Sequence, residues 1–145
     1  MTNPPSDAPV QDWGKSRHRD RAELLGYEVE LTPDGGSRAR WRPSPFMSNS
    51  LGHVHGGLVG TLVDDVAAMA LRSADPAILS SPTVTMHLDY LRPLALGEDY
   101  VCTGEVLRIG GRLAVADVRI VDAAGTLCVR GSATFAVTRA PVASG

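Results

Sequence analysis

Over residues 58–73 the chain spaces Val59, Val63, Val66 and Ala70 three or four positions apart, so at 100° per residue they share one side of a helix. The rest of this stretch, LVGTLVDDVAAMALRS, is also almost entirely apolar or small, which predicts one long helix buried by tertiary contacts nearly all round. Elsewhere the period changes to two. YEVELTPDGGSRARWRP alternates on both sides of PDGG, as two strands joined by a tight turn do, and Pro43 and Pro45 end that unit. After ADPAILSSP come three segments of strand composition: TVTMHLDYLRPL, DYVCTGEVLRIGGRLAVADVRIVD and TLCVRGSATFAVT. Gly110 and Gly111 split the second, and DAAG turns the chain before the third, giving four consecutive antiparallel strands. Upstream of the first hairpin, SRHRDRAELLG reads as a short helix stopped by Gly26.

Two strands, one central helix and four strands make an α+β domain in which one curved antiparallel sheet wraps the helix. One small sheet cannot cover a helix that is apolar on every side, so the uncovered part is expected to be a subunit interface. Residues 1–16, rich in Pro, Ser, Asp and Asn, are expected to form a flexible tail, with the domain over residues 17–139 and a second short tail over residues 140–145.

Composition narrows the function classes. A chain of 145 residues suits one domain and one site, the latter shared between subunits if need be. A formal net charge of -2 gives no electrostatic case for nucleic acid or an anionic membrane. The two cysteines, Cys102 and Cys128, fall inside strand segments and supply neither a disulfide framework nor a four-cysteine zinc site, so packed free thiols are expected. The first residues lack an apolar signal region and no run of about 18 apolar residues occurs, which points to a cytoplasmic protein that does not span a membrane.

Candidate chemistry centres on NSLGHVHGGLVGTLVDDVAAMALRS, residues 49–73. On the helical projection Asp64 points away from the valine side, among Gly57, Gly60, Thr61 and Ala68, a face of small residues that another backbone or a ligand can approach closely. Asp65 falls beside Leu58, Leu62, Met69 and Arg72, within reach of that cation. A carboxylate on an otherwise apolar helix is costly to bury unpartnered, which makes Asp64 the candidate acid or base. Just upstream, Gly56 and Gly57 open the helix, where unpaired N–H groups and the positive end of the dipole form an oxyanion hole. Asn49 either lends its amide to the same carbonyl or caps the turn through an Asx bond. His55 is expected to orient the glycine turn by a hydrogen bond, and His53 and His55 lack the further ligands a metal site needs. His87 lies in a strand and is explained by packing or exposure. Neither a G-x-S-x-G elbow nor a Walker loop occurs.

The asparagine, the H-G-G loop and the aspartate inside the next helix, followed in order by LRPLALGE and a G-R hairpin, resemble the hotdog-fold acyl-CoA thioesterases of the PaaI (phenylacetate-degradation) type over about residues 41–137. The resemblance implies a hotdog sheet around the helix, homodimers commonly paired into homotetramers, and active sites at the dimer interface with the carboxylate from one subunit and the H-G-G loop from the other. Residue by residue it implies that Asp64 is general base or nucleophile, that the Gly56 N–H polarises the thioester carbonyl, and that Asn49 holds the carbonyl or the water. His55 is the turn histidine, and Thr83 stands where relatives place a serine that positions water, with an added methyl group. Gly57 adjoins the bound thioester, and Arg108, Arg112 and Arg130 are candidates for the CoA phosphates, while Arg38, Arg40 and Arg42 read as a solvated strand face. No cofactor or metal is implied. Two other readings stay open: a hotdog hydratase or dehydratase using His55 and Asp64 as an acid–base pair, and a non-catalytic acyl-CoA-binding regulator.

Overall fold

The computed structural model describes residue 20 and residues 23–141. Most of the two expected tails lies outside the described residues. The domain is built from β1 (Tyr27–Leu31), β2 (Ser37–Trp41), the long helix α1 (Gly56–Ala74), β3 (Ile78–Ser80), β4 (Thr83–Tyr90), β5 (Tyr100–Ile109), β6 (Leu113–Asp122), β7 (Leu127–Ala136) and β8 (Thr138–Arg139). The main sheet is antiparallel in the order β1-β2-β5-β6-β7-β4. The three expected hairpins, β1–β2, β5–β6 and β6–β7, are present, and the first of the last four long strands pairs with the last of them rather than with its sequence neighbour. The short β3 and β8 pair with each other outside this sheet, a pairing with too few residues to leave a periodic signal.

The helix begins at Gly56, two residues before the apolar run suggests, because the His55 side chain caps it by accepting the Gly57 N–H at 3.1 Å. It ends at Asp75, whose N–H reaches Leu71 O, and Pro76 follows. Val59, Val63, Val66 and Ala70 are buried against the sheet, as the projection requires. The sheet makes room for them with glycine. A Cβ on Gly104 would stand 2.9 Å from Val66 O and 2.5 Å from Ser37 Oγ, and one on Gly131 would stand 2.9 Å from Val63 Cγ1. Ser37, the buried polar residue of β2, donates to Val66 O at 2.6 Å and ties the helix to the sheet at that close approach.

Inward residues of β5, β6 and β7, among them Cys102, Ala116, Val118, Ile120, Val129 and Phe135, close the core with Trp41, whose indole N–H donates to Leu25 O. Cys102 and Cys128 are free and buried, and burial pushes the Cys102 thiol upward. The helix is not buried all round, as its apolar composition suggests. Thr61, Asp64, Asp65, Ala68 and Met69 form a half-exposed stripe opposite the valines, because the sheet of a single chain curls over only one side.

Candidate active site

Three elements meet at the open stripe. The first is the loop of residues 48–55. Asn49 Oδ1 accepts the N–H groups of Leu51 and His53 at 2.9 and 3.1 Å, so the Asx bond is made, and those two donors orient the Asn49 Nδ2 group away from them. His55 N–H reaches Met47 O at 2.7 Å and fastens the loop to the buried methionine.

The second element is the start of α1. Because Nδ1 of His55 accepts the Gly57 N–H, that ring nitrogen is unprotonated and the Gly57 donor is occupied. Tyr90 donates its hydroxyl to Gly56 O at 2.5 Å, so the peptide joining Gly56 to Gly57 is held at both its oxygen and its nitrogen. The Leu58 and Val59 N–H groups turn back to His55 O. Of the first-turn donors this leaves the Gly56 N–H open, at the positive end of the helix.

The third element is β4, the edge strand. Met86, Leu88 and Tyr90 face the helix, and a Cβ on Gly60 would lie 3.3 Å from Met86 Cε and one on Gly56 3.4 Å from the Tyr90 ring, so small helix residues are what let this strand pass over. Strict alternation would turn Thr83 to the opposite side. The bulge between Thr83 and Thr85 reverses it, and Thr83 Oγ1 donates to Asp64 Oδ1 at 2.6 Å. Asp64 therefore keeps its second oxygen for another partner and borders a cavity of about 300 Å³ with Gly57, Gly60, Thr61, Asp65 and Met86. Asp65 accepts a hydrogen bond from the Tyr27 hydroxyl, a partner on β1 that the helical projection cannot supply.

Tyr90 is the site residue that the sequence reading missed. Its only local signal is a tyrosine at a strand end, and its role depends on β4 lying across the helix. Burial pushes its phenol upward, so it remains a donor through the neutral range.

The arginines lie elsewhere. Arg130 Nε donates to Asp89 Oδ2 at 2.8 Å on the sheet face turned away from the helix, and Arg108 pairs in register with Val115 on that same face. Arg112 is exposed in the β5–β6 turn, where its carbonyl receives the Val137 N–H. No helix of the described residues is long and apolar enough to cross a membrane.

A single antiparallel sheet curled around one central helix, with a glycine-opened helix start and a carboxylate on the helix's uncovered side, is the hotdog architecture. The family model for the thioesterase superfamily matches residues 51–129, and the chain belongs to that superfamily. Human acyl-coenzyme A thioesterase 13 is 39% identical over 60% of this chain, and the match spans 62% of that protein's length. The crystal structure of zebrafish thioesterase superfamily member 2 shares the fold with a TM-score of 0.75 at 27% identity, covering 90% of this chain and all of the other. The E. coli PaaI protein from the phenylacetic acid degradation operon shares the fold at a TM-score of 0.75 and 21% identity, over 86% of this chain and 93% of that one. These matches bear out the resemblance to the PaaI-type hotdog thioesterases.

Proposed function

We propose that the protein hydrolyses acyl-CoA thioesters, with Asp64 activating water and the Gly56 N–H polarising the thioester carbonyl. The observation that carries this reading is the state of the first helical turn: one donor is open, at Gly56, and the neighbouring peptide is pinned by His55 and Tyr90. A donor fixed before the reaction stabilises the oxyanion without reorganisation. Thr83 holds one oxygen of Asp64, so the other is presented to water in a fixed direction. Asn49 Nδ2 is a second donor for the carbonyl or the water.

The two groups cannot act together within one chain. Eight residues separate Gly56 from Asp64, about 12 Å along the helix axis, whereas water attacking a carbonyl must lie about 3 Å from it. Two antiparallel copies of α1 related by a two-fold axis remove this obstacle, setting Asp64 of one copy beside Gly56 of the other. The half-exposed helix stripe and the edge strand β4, with exposed Val84, Met86 and Tyr90, supply a surface for that homodimer. The paired dimers of a homotetramer extend the same reading. The buried free thiols suit the reducing cytoplasm, where CoA thioesters are its substrates.

The hydratase alternative needs an imidazole free to move a proton, and the Nδ1 lone pair of His55 is engaged by Gly57. The test is free-thiol release from aromatic and aliphatic acyl-CoAs by the native protein and by Asp64→Asn. A fall of about 100- to 10,000-fold in the variant is expected of a lost general base. Binding of acyl-CoA by the native protein without thiol release would favour the regulator instead.

A further inference from the structure

Strand β4 touches α1 at three levels. Thr83 Oγ1 donates to Asp64 Oδ1 at 2.6 Å, Met86 Cε lies 3.3 Å from where a Cβ on Gly60 would stand, and the Tyr90 ring lies 3.4 Å from a Cβ on Gly56. The two end contacts are fixed by hydrogen bonds, Thr83 to Asp64 and Tyr90 to Gly56 O. The middle one is not, because a thioether is at best a weak acceptor. Met86 is also 39% exposed, although its register partner on β7, Ala133, is buried. Three rotatable bonds and an open side let this side chain change rotamer without disturbing the strand.

Resting on the reading in which Asp64 of one copy works with Gly56 of another, we propose that Met86 is the partition between the two sites and the residue that sets the acyl-chain preference. Gly60 lies midway between Gly56 and Asp64, four residues or about 6 Å along the helix from each. The two-fold axis that brings those groups of different copies together therefore passes at the level of Gly60, where both copies present Met86. Each β4 thus serves both sites: Thr83 holds the carboxylate of one, Tyr90 holds the Gly56 peptide of the other, and Met86 stands between them. The cavity of about 300 Å³ beside Asp64 extends in that direction, past Gly60 and under Met86 to Gly57. A course toward the centre of the dimer suits the acyl group, because the CoA arm with its phosphates has to reach water. Of the six residues that border the cavity, two are glycines and three carry side-chain oxygens, so Met86 supplies the one long apolar side chain for an alkyl group to lie against. An extended chain advances about 1.2 Å per bond, so an acyl group of about five or six carbons fills the space before Met86 is reached. Longer groups have to turn Met86 aside, which a methionine allows at a cost that a rigid side chain would make larger.

The test is kcat/KM for straight-chain acyl-CoAs from butanoyl to dodecanoyl, measured with the native protein, Met86→Ala, Met86→Leu and Met86→Phe, each checked for folding by its melting curve. Met86→Ala is expected to raise the ratio of the dodecanoyl value to the butanoyl value about tenfold or more, and Met86→Phe to lower it by a similar factor. Met86→Leu, which gives up only the reach of the terminal methyl group, shifts the ratio in the same direction as alanine and by less. General damage to the fold does not produce opposed shifts from one position. A ratio unchanged in every folded variant, or moved the same way by alanine and phenylalanine, overturns the assignment of Met86 and leaves the hydrolase reading standing. Absence of thiol release by the native protein at every chain length overturns both.

Discussion

Replacing Gly56 with proline removes one atom group of the proposed machinery, the N–H that receives the oxyanion. The position is unusually permissive for this substitution. Gly56 is the first residue of α1, where proline's fixed φ is already helical and its missing N–H breaks no helix bond. The preceding residue, His55, sits at φ -63 and ψ 128, the extended conformation that a following proline demands. A Cβ at position 56 comes 3.4 Å from the Tyr90 ring, a contact that small side-chain adjustment absorbs. Chain entropy lost from the unfolded state favours Gly56→Pro by about 0.4–1 kcal/mol, so the melting temperature is expected to hold or rise. The rate behaves in the opposite way. Loss of one oxyanion donor costs about 2.7–4 kcal/mol in the transition state, equivalent to a fall of about 100- to 1000-fold in kcat. Steady-state thiol release at saturating acyl-CoA reads this directly, with KM changing little because the ground-state carbonyl binds the donor weakly. A folded Gly56→Pro protein with kcat within threefold of native would show that the carbonyl is polarised elsewhere.

Tyr90→Phe deletes the hydroxyl that holds Gly56 O and keeps the ring; one hydrogen bond of about 1 kcal/mol fully expressed in the transition state lowers kcat about fivefold, and an unchanged kcat would remove Tyr90 from the site. Gly104→Ala drives a methyl group onto Ser37 Oγ and Val66 O and is expected to cost about 1–3 kcal/mol by urea unfolding; a variant as stable as native would contradict the close helix–sheet approach. Asp75, Asp89 and Asp99 are held below the ordinary carboxylate range chiefly by hydrogen bonds from Arg139, Arg130 and Arg42. The native state thus binds fewer protons than the unfolded one in that range, so the stabilisation is complete above about pH 4 and is lost as pH falls through the lower native values. Melting temperature should drop below pH 4, less steeply in Asp75→Asn, and parallel acid curves for the two proteins would dissociate Asp75 from the effect.

The helix and the direction of Asp64 are legible in the sequence because both depend on local geometry alone: a period of 3.6 residues fixes which side chains share a face. The strands are legible for the same reason, as are their turns at Gly110–Gly111 and Gly125. Partnerships between distant segments are not. That β4 pairs with β7 brings Met86 and Tyr90 over Gly60 and Gly56, and nothing within either segment announces it. Thr83 reaches Asp64 only because a bulge reverses the alternation there, and bulges leave no periodic mark. The helix start was displaced by two residues because histidine is an uncommon cap. The face on which Arg130 lies, by contrast, was readable from the alternation of buried Val129, Gly131 and Ala133 around it.

The central claim is that one site takes Asp64 from one copy and Gly56 from another. Two inactive chains, Asp64→Asn and Gly56→Pro, test it when unfolded together, refolded at equal concentration and assayed for thiol release. Random pairing makes about half the dimers mixed, and each mixed dimer holds one intact site, so the mixture should recover about a quarter of the native rate. A mixture no faster than its two parents would mean that both groups act within a single chain or that one of them does not act at all.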